Sequence, residues 1–279
     1  MSCEVVETDL PLPLHKRGKV RDIYDLGDRL LIVATDRISA FDVVLQNAIP
    51  SKGEALNRLS VFWFRKTDDI IPNHILDVVD PRTVLVRKAE PIKIEFVVRG
   101  YLYGSAWRSY IKGKKICGIK LPSGLRKAER LPEPILTPTT KAEVGHDIKM
   151  TKKDVIEKIG KDAFEQIEES CLQLYESAWS RAEKNGIVIA DTKLEFGFYT
   201  GDLILIDELF TSDSSRFWPS DRYEIGKSQI SFDKQDVRDY LESTGWNKQP
   251  PAPSLPEHII KETSRKYIEA YERLTGRRF

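Results

Sequence analysis

Cysteine is scarce: Cys3, Cys117 and Cys171 are widely spaced in 279 residues and form no C-x-x-C pair. That excludes a zinc knot and a disulfide framework, and makes idle thiols in a reducing compartment the expectation. Long apolar runs are missing as well. The longest, residues 30–34 and 203–206, fall far short of the roughly 18 residues that a membrane helix needs. The opening M-S-C-E-V-V-E-T-D-L has neither the basic nor the apolar region of a secretory leader, so a cytoplasmic location without a membrane partner is expected. Charge of one sign is absent too, with 44 Lys+Arg against 43 Asp+Glu and a net charge of +1. No global positive field is available for nucleic acid, and any anion must be bound at a local site. His15, His74, His146 and His258 are dispersed without metal-ligand spacing, and neither a G-x-S-x-G elbow nor a P-loop occurs. Hydrolysis through a protein nucleophile is thereby disfavoured.

What is present is a chain with 41% hydrophobic and 31% charged residues, enough to build a globular core. Residues 18–24, 29–35 and 41–45 read as short strands of a small antiparallel sheet, broken at Gly27-Asp28 and Asp36-Arg37. Residues 54–66, with Leu56, Leu59, Val61, Phe62 and Trp63, read as a helix packed on that sheet. Strands at 84–86 and 92–98 flank the polar connection Lys88-Ala89-Glu90-Pro91, which suits a hinge. The boundary therefore falls between a β-rich lobe, 1–88, and a larger lobe, 89–279. A capping box at Thr151 and Asp154 opens one long helix, on which Phe164, Ile167, Cys171, Leu174 and Ala178 recur at three- and four-residue steps up to Asn185-Gly186. A hairpin, 187–198 and 203–209, follows, and the tail from 232 is helical on both sides of a proline-rich linker, 250–256. Strands and helices come in separate runs, which defines a two-lobed α+β class, with ligands expected between the lobes.

The hairpin carries the most chemistry. Alternation puts Asp191, Lys193 and Glu195 on one strand face. With a three-residue loop, the register sets Glu195 opposite Asp207, so two carboxylates converge. A solvated face neutralised by Lys193 is the plain alternative. Against it, Asp207-Glu208 ends the fully apolar run 203–206, and magnesium suits one or two carboxylates plus substrate phosphates. A metal–nucleotide site is the expectation.

Other candidates are weaker alone. Gly18-Lys19-Val20-Arg21-Asp22 reads as a glycine-hinged strand on which Lys19 and Arg21 face the same way, either a lid over phosphates or an ordinary charged hairpin. Asp36, Arg37, Ser39 and Asp42 form a polar knot whose carboxylates either cap turns or serve the site. Glu95, Arg99 and the Gly104-Ser105 step before a helix suggest a phosphate site, with a plain N-cap serine as the alternative. Arg216 follows the acidic end of the hairpin and suits a substrate anion. The Pro/Thr-rich stretch 137–143, ending in His146-Asp147, yields nothing by spacing.

Taken in order, G-K-V-R-D-I-Y, T-D-R-I-S-A-F-D, K-G-E-A-L-N, E-F-V-V-R-G-Y-L-Y-G-S, T-P-T-T-K-A-E, A-D-T-K-L-E-F-G and D-E-L-F-T-S-D-S-S-R-F-W run through most of the chain. The sequence thereby resembles the phosphoribosylaminoimidazole-succinocarboxamide synthases, or SAICAR synthetases, of purine biosynthesis. The resemblance implies an ATP-grasp-like or kinase-like nucleotide cleft and a ligase that joins L-aspartate to the carboxylate of carboxyaminoimidazole ribotide, with ATP converted to ADP and phosphate. It further implies Gly18, Lys19, Arg21 and Lys88 at ATP and Glu195 and Asp207 on magnesium. Arg99, Gly104, Ser105 and Arg216 would hold the ribose phosphate, with Glu95, Arg37 and Ser39 also on the substrate side. Asp36, Arg37, Ser39, Asp191 and Lys193 would shape the carboxylate end. The chemistry needs cations that screen two anionic reactants and a base for the aspartate amine, for which Asp191 and Asp36 remain open. One departure stands in the E-x-V-V-R block: Lys93 occupies a position where the family usually has proline, and Pro91 lies two residues earlier. A kinase-like phosphotransferase is the rival within enzymes, and a nucleic-acid module is disfavoured by the charge balance and the acidic hairpin. The oligomeric state, a homodimer included, stays open.

Overall fold

The computed structural model describes residues 4–141 and 148–279. Its first part runs β1 (Leu14–Arg17), β2 (Arg21–Asp25), β3 (Arg29–Ala34), β4 (Arg37–Ala40), β5 (Val43–Ala48), α1 (Lys52–Lys66), β6 (Ile75–Asp80) and β7 (Thr83–Arg87). The second part runs β8 (Glu90–Pro91), β9 (Ile94–Tyr101), α2 (Gly104–Tyr110), β10 (Arg130–Thr140), α3 (Lys152–Ile159), α4 (Lys161–Lys184), β11 (Ile187–Tyr199), β12 (Asp202–Ile206), β13 (Ser215–Pro219), α5 (Gln235–Ser243) and α6 (Glu257–Thr275). One antiparallel sheet has the order β1-β2-β3-β7-β6, and β4-β5 is a separate hairpin. The second sheet has the order β10-β9-β11-β12, with β13 and β8 also paired to β11. All named pairings are antiparallel, as an α+β class requires.

The change of sheet falls at the polar connection 88–91, because β7 ends at Arg87 and β8 joins β11. The cores do not divide there. Helix α1 is apolar on more than one side. Leu59, Phe62, Trp63 and Phe64 enter the main core, Val61 packs with Val84 and Val86, and Ala55 and Leu56 pack with Tyr267 of α6. The β4–β5 hairpin likewise shares a core with Val237 and Leu241 of α5. Helix α1 therefore joins both sheets to the C-terminal helices instead of resting on the first sheet alone.

Phe164, Ile167, Cys171, Leu174 and Ala178 all enter the main core, as their spacing requires. The helix containing them is not continuous from Thr151. The capping box at Thr151 and Asp154 opens α3, and Gly160, at φ 86, breaks the axis before α4 begins. Strand β10 has no counterpart in the sequence reading. It contains Pro132, Pro134 and Pro138 and lies at the sheet edge, where a missing N–H costs no ladder bond.

The hairpin register also differs from expectation by one residue. Thr200 and Gly201 both adopt positive φ, 52° and 93°, which gives a two-residue turn whose twist matches the strands. Glu195 consequently pairs with Ile206, not with Asp207.

Candidate active site

Strand β11 is central, and its alternating face presents three charged side chains about 7 Å apart per step. At the first, Asp191 is the register partner of Arg99 on β9 and of Arg216 on β13, so three adjacent strands present Arg–Asp–Arg in a row. Arg99 Nη1 donates to Asp191 Oδ2 at 2.9 Å, and Arg216 Nη1 donates to the same oxygen. Arg99 also donates through Nε to Thr137 Oγ1 at 2.9 Å and through Nη2 to Ser105 Oγ at 3.3 Å. Burial lowers the Arg99 pKa, with Arg216 adding to the effect and Asp191 opposing it, while Asp191 raises that of Arg216. Gly104, at φ 56, is required twice: its backbone is left-handed, and a Cβ would lie 2.9 Å from Arg216 Nη2. Ser105 is not an N-cap, since Tyr103 holds that position in α2, and its hydroxyl is turned to Arg99 instead.

The second and third steps are Lys193 and Glu195. Lys193 Nζ contacts Glu195 Oε1, lies 3.3 Å from Asp207 Oδ2 and 3.5 Å from Glu95 Oε1. Burial alone would lower its pKa, but Glu195, Asp207 and Glu95 outweigh burial and hold it well above the ordinary lysine value. Despite the shifted register, Asp207 reaches this cluster because its backbone turns to φ 68 at the strand end. Glu195, 3% exposed, accepts from Lys141 through Oε2. Arg21 contacts Asp207 Oδ1 and, at 3.0 Å, Glu208 Oε2, and Glu208 is fixed by the Thr211 hydroxyl at 2.6 Å. The plain alternative holds in part: Lys193 does neutralise its neighbours, but Asp191 and Glu195 are buried rather than solvated.

Other predicted residues lie elsewhere. Residues 18–20 form the β1–β2 turn and not part of a strand, with Gly18 N–H donating to Arg21 O at 2.7 Å. Lys19 consequently diverges from Arg21 and pairs with Asp42 at 2.5 Å. Arg37 holds this turn, donating to Gly18 O at 2.9 Å and to Asp22 at 2.8 Å. Asp36 accepts from the amides of Val5 and Gly53, each at 2.8 Å, and so anchors the start of α1. Lys88 pairs with Asp25 at 2.6 Å, and the Ser39 carbonyl accepts from Lys234 at 3.2 Å. Of the Pro/Thr-rich stretch, 137–140 end β10, while 142–147, including His146 and Asp147, lie outside the described residues.

Three features escaped the sequence reading. Lys141 stands in the Pro/Thr-rich stretch and Glu208 at the end of the apolar run 203–206, but their spacing assigns neither to the site. A cavity of about 380 Å³ beside Arg216 is lined by Tyr103, Gly104, Arg108, Gln235 and Arg238 among others. Asp213 lies buried between Lys52 at 2.9 Å and Lys234 at 3.3 Å, with Tyr267 Oη at 2.8 Å. These groups come from four separated segments, and no local spacing announces them.

Among the described residues no three His, Cys, Asp or Glu side chains form a ready metal cage. Glu195 and Asp207 do already share one cation, Lys193. Two hard oxygen donors of this kind fit a magnesium ion that arrives with phosphate ligands of its own.

Comparison with known proteins places the chain in a family. The sequence model of the family described as SAICAR synthetase matches residues 14–253. Phosphoribosylaminoimidazole-succinocarboxamide synthases of Geotalea uraniireducens and Geobacter sulfurreducens are 51% and 52% identical to the chain, covering 99% and 98% of it and the same shares of their own lengths. A SAICAR synthase from Saccharomyces cerevisiae, solved in complex with SAICAR, superposes with a TM-score of 0.90 at 40% identity, covering 99% of each chain. A SAICAR synthetase solved in complex with ADP superposes with a TM-score of 0.73 at 27% identity, covering 95% of this chain and 98% of the other.

Proposed function

The chain belongs to the SAICAR synthetase family, and from that premise we propose how its buried charged face performs the reaction. The protein is an ATP-dependent carbon–nitrogen ligase of purine biosynthesis, joining L-aspartate to carboxyaminoimidazole ribotide to give SAICAR. The observation that carries the residue assignment is the alternation of β11. It sets an anion-binding arginine pair around Asp191 beside a carboxylate cluster around Lys193.

Arg99, Ser105 and Arg216 hold the ribotide phosphate, since paired guanidinium forks match phosphate oxygens. The phosphate competes for the arginines that hold Asp191, and the exchange frees Asp191 Oδ2 to accept a proton. Asp191 is thus the base candidate we keep for the aspartate amine. Asp36 is spent on the amides at Val5 and Gly53. Glu195 and Asp207 would hold magnesium, which when bound would screen triphosphate charge. Lys193 neutralises the phosphoryl group in transit between two anions, and Arg21 neutralises the nucleotide.

A carboxylate is a poor electrophile, so activation precedes amide formation. A carboxylate oxygen of the ribotide attacks the γ-phosphorus and ADP leaves, giving an acyl phosphate. The deprotonated amine of aspartate then attacks the acyl carbon, the amide C–N bond forms, and phosphate departs with that oxygen. The protein aligns and neutralises the reactants and contributes no covalent bond. Ribotide labelled with ¹⁸O in its carboxylate tests the route: one label should appear in the released phosphate. Unlabelled phosphate would exclude the acyl phosphate.

A further inference from the structure

We propose that Arg21 and Lys141 are resident counterions of the metal-binding carboxylates, which they yield to magnesium only when a nucleotide arrives to receive them. This rests on the assignment of Glu195 and Asp207 to the metal.

The contacts account for every oxygen of the two carboxylates. Glu195 presents Oε1 to Lys193 and Oε2 to Lys141, and Asp207 presents Oδ1 to Arg21 and Oδ2 to Lys193. A metal ion takes an oxygen here only by displacing or crowding a cation. Among the described residues, the network sets the carboxylates Glu95, Glu195, Asp207 and Glu208 against the cations Lys193, Arg21 and Lys141. It is close to balanced. A bare divalent ion would convert a small negative excess into a positive one within a mostly buried site, where repulsion is weakly screened.

A nucleoside triphosphate reverses this balance, because its phosphate oxygens accept the displaced guanidinium and ammonium while the metal takes the carboxylates. Arg21 can make that exchange. It is the first residue of β2, directly after the turn at 18–20. The gap lined by Arg21, Asp207, Glu208, Val20, Thr35 and Lys52 has about 20 Å³ of room, space for roughly one or two waters. A phosphate enters there only after Arg21 moves. Lys141 is 46% exposed and leaves Glu195 with little loss of packing. Glu208, pinned by Thr211, retains a station to which Arg21 returns after the phosphates depart.

The test is calorimetric titration of the full chain with Mg²⁺ alone and, separately, with ADP at saturating Mg²⁺, using wild type, Arg21→Gln, Lys141→Gln and Arg21→Gln/Asp207→Asn. The expected result is opposite movement. Mg²⁺ alone binds roughly tenfold or more tightly to Arg21→Gln than to wild type, from removal of one nearby positive charge, while ADP binds more weakly. Lys141→Gln moves Mg²⁺ affinity in the same direction by a smaller factor, and because its side chain is half-exposed it carries the test should Arg21→Gln not fold. Adding Asp207→Asn should cancel the gain. Mg²⁺ binding to wild type as tight as to Arg21→Gln and Lys141→Gln, with loss only when Asp207→Asn is added to Arg21→Gln, would overturn the counterion role and leave the metal site standing. No effect on either titration of adding Asp207→Asn to Arg21→Gln would remove the metal assignment, and this proposal with it.

Discussion

Arg99 and Asp191 stand directly opposite each other across the β9–β11 pair, joined Nη1 to Oδ2 at 2.9 Å. Arg216 meets the same carboxylate from the other flank. Both guanidinium groups are thus preorganised on rigid strands before any substrate enters, and a phosphate need only displace one carboxylate. Arg216→Lys replaces a planar fork with a point charge. The ribotide KM should rise about 10- to 100-fold, from loss of one charge-assisted contact, with kcat changed less. Steady-state kinetics at varied ribotide check this, and an unchanged KM would remove Arg216 from the phosphate site.

Lys193 is the cation shared by Glu195, Asp207 and Glu95. Lys193→Met should lower kcat by roughly 10²- to 10³-fold, the scale for removing one electrostatic group from a transition state. Its three former carboxylate partners then repel, so the melting temperature should fall in metal-free buffer and recover in part with magnesium and nucleotide. Kinetics and thermal unfolding read the two effects separately.

Asp213 neutralises two buried lysines, Lys52 and Lys234. Asp213→Asn keeps the shape and leaves those ammonium groups without a counterion. It should cost about 3–5 kcal/mol in urea unfolding, whereas Glu262→Gln on the exposed face of α6 should stay within about 0.5 kcal/mol. Equal effects would mean that the buried cluster is not structural.

His74 is buried, 5.2 Å from the Phe64 ring, and burial pushes its pKa down to about 3. In the unfolded chain the imidazole titrates near 6.5. Below that pH the unfolded state takes up a proton that the folded state refuses, so stability falls as pH drops from about 6.5 toward 3. The slope from this group approaches about 1.4 kcal/mol per pH unit. Between pH 6.5 and 5 the effect is separable from Asp207. Burial would raise the Asp207 carboxyl, but Arg21 and Lys193 outweigh it and hold it well below the usual range. Asp207 therefore loses its contribution only at lower pH. Urea unfolding at pH 7, 6 and 5 should show the slope in wild type and a flatter line in His74→Gln.

The readable parts of this molecule are those in which a local period matches a local element. Phe164 through Ala178 announce α4 because one helical face is apolar, and Asp191, Lys193 and Glu195 announce the charged face of β11 because a strand alternates. Distant or conformational causes were not legible. The register at Glu195 depended on Thr200 accepting positive φ, a cost that the sequence does not display. Strand β10 is disguised by prolines that only an edge position tolerates. Asp36 looks catalytic beside Arg37 until the amides of Val5 and Gly53 are found on it, and Lys141 reaches Glu195 across 54 residues. Ion pairs between separated segments are set by tertiary packing, which is why the composition of the cluster was only partly foreseen.

The central claim is that this buried face couples ATP cleavage to amide formation with L-aspartate. The most direct measurement is ADP release with magnesium, ATP and carboxyaminoimidazole ribotide, with and without L-aspartate, on wild type and on Glu195→Gln. Sustained release that requires both acceptors, and falls by at least tenfold in Glu195→Gln, is the predicted result. Sustained release with ribotide alone, or turnover unaffected by Glu195→Gln, would contradict the account and favour a phosphotransferase that leaves its acceptor phosphorylated.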